Sequence, residues 1–113
     1  MRDAYVPEAG DVVWMQFDKH VGHEQMGKRP ALVLSPSRYN SKVGLMLCCP
    51  ITSKSKGYIF EVGLATEQIS GVVLADQIRS FDWRERGAVK AGEVSADALV
   101  AIKMKLKALL QLD

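Results

Sequence analysis

Apolar residues in this chain fall into five or six short runs over roughly the first ninety positions, each cut off by glycine, proline or a polar cluster, and only one later stretch repeats at a helical spacing. Asp11-Val12-Val13-Trp14-Met15-Gln16-Phe17 follows Gly10 and is rich in β-branched and aromatic residues, which predicts a first strand. Ala31 to Ser35 predicts a second, stopped by Pro36. Gly44 to Thr52 predicts a third, whose continuous apolar run implies cover on both faces, with Pro50 at an edge or bulge. Ile59 to Val62, Val72 to Ala75 and Gly87 to Val94 are further strand candidates. The period changes only at the end. Ser95 can cap a helix, Asp97 suits its positive N-terminus, and Leu99, Ile102, Met104, Leu106 and Leu109 recur near 3.6 residues. The expectation is a mainly β fold with a C-terminal helix, in which a strongly curved antiparallel sheet forms a small, partly open barrel.

With 113 residues, 48% of them hydrophobic and 25% charged, residues 1–113 suit a single soluble domain. The N-terminal residues Met1 to Pro7 lack the apolar run of a secretory signal, and no stretch reaches the ~20 apolar residues that span a bilayer, so a cytoplasmic protein is expected. Cys48 and Cys49 are adjacent in a strand-like run, where neighbouring side chains point to opposite faces, and read as small core residues in a reducing compartment. Neither this pair nor His20 and His23 makes a metal-ligand set, so no metal or cofactor is expected. The formal net charge is only +2, and any affinity for nucleic acid must come from local clusters.

One such cluster is Gly22-His23-Glu24-Gln25-Met26-Gly27-Lys28-Arg29-Pro30. It reads as a flexible loop that delivers charge to a rigid strand: the glycines permit close backbone approach, and Pro30 fixes the dihedral at the strand's first residue. Arg29, held there, can clamp a phosphate through its planar fork. Lys54, Lys56, Arg79, Arg84 and Arg86 are candidates for a basic groove along a nucleic-acid backbone, Lys56 and Arg86 foremost. Phe17, Tyr58 or Trp83 can stack on bases, while Trp14 and Trp83 are assigned mainly to packing. Lys103, Lys105 and Lys107 share no helical face, and solubility explains them.

Several of these segments, in order, resemble the MazF toxin family, also called PemK or Kid. The residues that carry the resemblance are Gly10-Asp11-Val12-Val13-Trp14, Gly22-His23-Glu24-Gln25 with Arg29-Pro30, Leu34-Ser35-Pro36 with Tyr39-Asn40, Pro50 through Gly57, and Gly71 through Gln77. The resemblance implies a homodimeric toxin of a type II toxin–antitoxin pair on an SH3-like small barrel of the CcdB/PemK type. It implies metal-independent, sequence-specific cleavage of single-stranded messenger RNA, leaving 2′,3′-cyclic phosphate and 5′-hydroxyl ends and arresting growth. It implies an acidic antitoxin lying along the basic groove, association with DNA only through that antitoxin, and no membrane partner.

Such cleavage must remove a proton from the 2′-hydroxyl, give one to the leaving 5′-oxygen and stabilise charge on phosphorus. The resemblance assigns catalysis to Arg29 and Thr52, with Glu24 as a candidate base and His23 as an accessory group. Glu24 is equally readable as a solvated glutamate or a partner of Lys28, and Thr52 as a plain β-former. Gln25, Lys28, Lys54, Lys56, Asp76, Gln77, Arg86 and Phe17 are the candidate RNA-binding residues, although Asp76 could instead cap a turn. The Kid branch has a catalytic arginine two residues before this aspartate. Here that position is Leu74, so the pattern is the MazF-like one centred on Arg29 and Thr52. Two alternatives stand beside the ribonuclease. A gyrase-binding toxin like CcdB would need an aromatic-containing tail, and this chain ends Leu109-Leu110-Gln111-Leu112-Asp113. A simple RNA-binding SH3-like module would bind without turnover.

Overall fold

A computed structural model describes residues 5–17 and 27–112. The described residues form seven antiparallel strands: β1 (Asp11–Gln16), β2 (Lys28–Val33), β3 (Leu45–Thr52), β4 (Glu61–Ala65), β5 (Ser70–Leu74), β6 (Arg79–Asp82) and β7 (Val89–Glu93). Two helices, α1 (Ser37–Val43) and α2 (Ala96–Leu110), complete it. The strands run β4-β5-β3-β2-β1-β7, with β6 also on β3. This curled sheet carrying a C-terminal helix is the partly open barrel expected from the strand pattern.

Period-two alternation divides the core in two. Val12, Leu32, Cys49 and Ile51 face one cluster, which Ile102 and Leu106 of α2 cover. Val13, Met15, Ala31, Val33, Met46 and Cys48 face the other, which Phe81 and Trp83 close. The adjacent cysteines thus point to opposite sides, both free and buried. Burial pushes both thiols up to about 12, so they stay protonated and inert.

Strand β3 organises the sheet by changing partners. Its residues 45–48 pair with β6 and 51–52 with β5, while 48–50 pair with β2 along the other edge. Between β5 and β6 a 3-10 turn, Ala75–Gln77, breaks the ladder. Two prolines sit at these discontinuities. Leu34 N–H donates to the Leu47 carbonyl, so alternate residues from Leu47 turn their backbone towards β2, and Pro50 turns the other way, towards the interrupted β5–β6 edge. By the same alternation Pro30 faces β3 just beyond the last β2–β3 pair, Ala31 with Pro50. A proline has no N–H to extend a ladder, so the strands part there.

Several expectations are corrected. β2 begins at Lys28, so Arg29 and Pro30 lie within the strand, with Pro30 opposite Trp14. β3 is covered on both faces only in its second half: Leu45 and Leu47 point outward, because α2 covers the sheet farther along. The strand expected at Ile59 begins at Glu61, and Ile59 is exposed. Helix α1 and strand β6 have no counterpart among the elements the sequence predicts. Pro36 before α1 and the left-handed Gly44 after it (φ 85°) are the boundary signals of that short helix, which has too little apolar periodicity to announce itself. Its Asn40 is fully buried. The side chain accepts from Ser35 Oγ at 2.6 Å and donates to the Pro7 and Ser35 carbonyls at 2.8 and 3.0 Å, while its own carbonyl accepts from Trp83 Nε1 at 2.9 Å. In α2, Ser95 caps as expected, accepting from Ala98 N–H at 3.1 Å, but Met104 points to solvent. Among the described residues no helix is long and apolar enough to cross a membrane.

Candidate active site and RNA-binding clefts

Arg29 and Thr52 come together from strands β2 and β3. By alternation both lie on the face that carries the second core cluster, just past the point where its apolar residues end, so a polar rim continues a packed floor. They line one cleft of about 310 Å³ with Phe17, Pro50, Leu74, Gln77 and Arg79 among its walls. Phe17 is fixed edge-on against Phe81, with ring centroids 5.1 Å apart. The Arg79 guanidinium lies 4.7 Å from the Phe81 ring centroid, which holds a second positive charge at the cleft wall.

The Thr52 hydroxyl is oriented by the chain that follows it. Its Oγ1 accepts from the Lys54 N–H at 3.2 Å, which occupies one lone pair and leaves the O–H to donate into the cleft. Thr52, Leu74 and Gln77 also belong to an adjoining cleft of about 550 Å³, where they meet Lys54, Lys56, Tyr58 and Asp76. The segment that carries both lysines is tied back to β4. Glu61 accepts from Ser55 Oγ at 2.6 Å and from the Lys56 N–H at 2.9 Å, and these two bonds hold its carboxyl below the usual carboxylate range.

Asp76 neither caps a turn nor stands free. Its Oδ2 accepts from Tyr58 OH at 2.8 Å, raising the phenol's pKa, while the buried Oδ1 has no partner among the described residues. The Tyr58 ring remains exposed, so its hydroxyl is fixed and one aromatic face is available. Asp76 and Gln77 reach this place because the 3-10 turn lifts them off the β5–β6 edge.

Other candidates fall elsewhere. Arg86 is engaged inside the fold: its Nη1 donates to the Gln16 carbonyl at 3.2 Å and to the Phe17 carbonyl, and its guanidinium lies over Phe81. A guanidinium donating to two carbonyls at the end of β1 is a latch on that strand's exit. Lys28 is exposed on β2, opposite Gln16, and lines none of these clefts. Arg84 lies over Trp83, which is packed as expected. His20, His23, Glu24 and Gln25 lie outside the described residues. Trp14, assigned to packing by sequence, is 39% exposed and lines a third cleft with Arg29. Among the described residues, no three His, Cys, Asp or Glu side chains form a metal-ligand set.

Residues 8–110 match the family of PemK-like, MazF-like toxins of type II toxin–antitoxin systems. The chain is 51% identical over 110 residues to the endoribonuclease toxin MazF of Escherichia coli K12, covering 97% of this chain and 99% of that protein. It is 34% identical over 110 residues to the endoribonuclease toxin ChpB of the same strain, covering 92% and 94%. Its structure is similar to the crystal structure of MazE–MazF (Form-II) from Deinococcus radiodurans, with a TM-score of 0.87 at 50% identity over 97% of this chain and 100% of that one.

Proposed function

From the premise that this chain belongs to the PemK-like, MazF-like toxin family, and is thus an endoribonuclease toxin, we propose that it cleaves single-stranded messenger RNA at short sequences in the central cleft between Arg29 and Thr52. The observation that carries the reading is the shared cleft: a fork able to grip a phosphate on one wall, and across it a hydroxyl already oriented by the Lys54 N–H.

The reaction needs no outside nucleophile. The 2′-oxygen attacks the adjacent phosphorus and loses its proton to a base, the bond from phosphorus to the 5′-oxygen breaks, and that oxygen gains a proton. A 2′,3′-cyclic phosphate and a 5′-hydroxyl remain. Arg29 neutralises the phosphoryl oxygens as charge builds, and Thr52 donates to one of them. Glu24 is the proposed base, with His23 accessory. Lys54 and Lys56 track the backbone, and Asp76 and Gln77 offer acceptors and donors to a base edge.

The toxin acts in the cytoplasm as a homodimer, and a cognate acidic antitoxin occludes the basic clefts and links the complex indirectly to DNA. The exposed Val100, Met104 and Leu110 on α2, with Leu45 and Leu47 on β3, are apolar surface that suits a partner.

A long end-labelled RNA incubated in EDTA with the protein and with Arg29→Ala tests the reading. Discrete cuts with cyclic-phosphate ends, lost in the variant, are expected. Uncut RNA that still binds would leave a binding module, and uncut, unbound RNA would point to a protein target such as gyrase.

A further inference from the structure

We propose that the cleft walled by Trp14, beyond Arg29, holds the base of a nucleotide flanking the scissile phosphate, stacked on the indole and read at its edge by Ser53, Gln68 and Ser70. The inference rests on the reading of Arg29 and Thr52 as the cleavage site.

Trp14 is an anomaly in its strand. Val12, Val13 and Met15 are completely buried, yet the largest side chain of β1 is 39% exposed. The reason lies opposite it. Trp14 pairs with Pro30, and at Pro30 the β2–β3 ladder has stopped, so β3 departs towards β5 and a cleft of about 470 Å³ opens. Pro30, Ile51 and Ile69 give it apolar walls beside the indole, while Ser53, Gln68 and Ser70 supply hydroxyl and amide groups.

Charge decides what such a cleft can take. Among the described residues Arg29 is the one charged side chain lining it, and Arg29 also lines the central cleft. A phosphate therefore belongs at that shared wall, and a neutral, flat group with a polar edge belongs beyond it. A nucleobase meets that description, because its face stacks on an aromatic ring while its edge exchanges hydrogen bonds with small polar side chains. On the other side, Thr52, Leu74 and Gln77 join the central cleft to the one with Lys56 and Tyr58. The RNA would pass between clefts at the residues they share, Arg29 and Ile51 on the Trp14 side and Thr52, Leu74 and Gln77 on the Lys56 side, with the bond to be cut between them.

The two tryptophans make the test direct, since Trp83 is only 4% exposed with its Nε1 bonded to the Asn40 carbonyl. The probe is a 2′-O-methyl oligoribonucleotide carrying a mapped cut sequence, which binds without being cleaved. Its binding to the native chain is expected to shield Trp14 from acrylamide quenching. Replacing one base next to the cut by an abasic site is expected to abolish that shielding. Trp14→Ala is expected to bind about 5- to 150-fold more weakly, the range of one base–aromatic stack, and Trp14→Phe to recover most of it. In Trp14→Ala the same abasic substitution should cost nothing further. Unchanged quenching in the bound complex, or an abasic penalty equal in both proteins, would overturn the inference, as would a Trp14→Ala effect confined to an acidic peptide. The quenching and abasic measurements use the native chain, so an unstable variant leaves them decisive. Cleavage surviving in Arg29→Ala would instead remove the cleavage-site reading itself.

Discussion

A methyl group on Gly71 would sit 2.4 Å from the carbonyl oxygen of Thr52 and 3.0 Å from its carbonyl carbon. β5 thus approaches β3 at the residue proposed to donate to the substrate, with Gly71 at φ 156°, and the obstacle is backbone that cannot swing aside. Gly71→Ala should shift the Thr52 peptide and lower kcat on a mapped RNA about tenfold or more, with little change in the affinity for an uncleavable oligonucleotide. Gly63→Ala is the control. It lies on the neighbouring strand, opposite Val72, with open space around its would-be methyl, and kcat should stay native.

Lys56 and Arg86 are separable by salt. If Lys56 grips a phosphate, Lys56→Ala should lower the slope of log affinity against log salt by about 0.7, the value for one contact on a single strand. Arg86→Ala should leave that slope native and instead lower the melting temperature, because it releases the Gln16 and Phe17 carbonyls. Arg86→Lys should not restore it, since an ammonium cannot reproduce the fork and the stack on Phe81. A native melting curve with a reduced slope for Arg86→Ala would return that residue to the RNA.

The Glu61 carboxyl, held below its ordinary 4.5 by Ser55 and Lys56, stabilises the lysine segment above pH 4.5 and ceases to do so as pH falls through its lower folded value. The amide resonance of Lys56 should therefore titrate below pH 4.5 in the native protein. In Glu61→Gln that step should be absent at every pH.

Tyr58 has the opposite sign. Its hydroxyl donates to Asp76, so its pKa is raised above 10, and the contact stabilises the fold below pH 10 and is lost as pH climbs through the higher folded value. The ultraviolet titration of phenolate should show two tyrosines shifted upward, Tyr58 and Tyr5, the latter raised by burial and its hydrogen bond to Asp11, and Tyr58→Phe should remove one of the two while leaving the aromatic face in place.

Asn40→Ala should cost about 2 kcal/mol or more of stability, because the buried Ser35 hydroxyl and the Pro7 and Ser35 carbonyls lose partners together. Chemical denaturation measures this. Cleavage by the folded fraction should stay native, since Asn40 lines none of the clefts around Arg29 and Thr52.

Local chemistry was enough to foretell β1, β3 and α2. Val12 and Val13 next to Trp14, the apolar run into Ile51, and Ser95 ahead of Leu99 and Ile102 carry their periods within a few residues of one another. The same holds for Cys48 and Cys49, which alternation alone sends to opposite sides, and the neighbours of Arg29 and Thr52 spell out a family motif whose two residues the fold brings into one cleft. What tertiary structure decided is long-range pairing. Pro50 does announce an edge or bulge, but that β3 exchanges β6 for β5 there, and that the β2–β3 ladder ends at Pro30, depends on strands distant in the chain. From that splay come the exposure of Trp14, the joining of Arg29 to two clefts and the lifting of Asp76 towards Tyr58. Arg86 shows the other side of the same rule. Its charge is visible in the sequence, but whether a guanidinium meets phosphate or backbone carbonyls depends on what the fold places within reach of it.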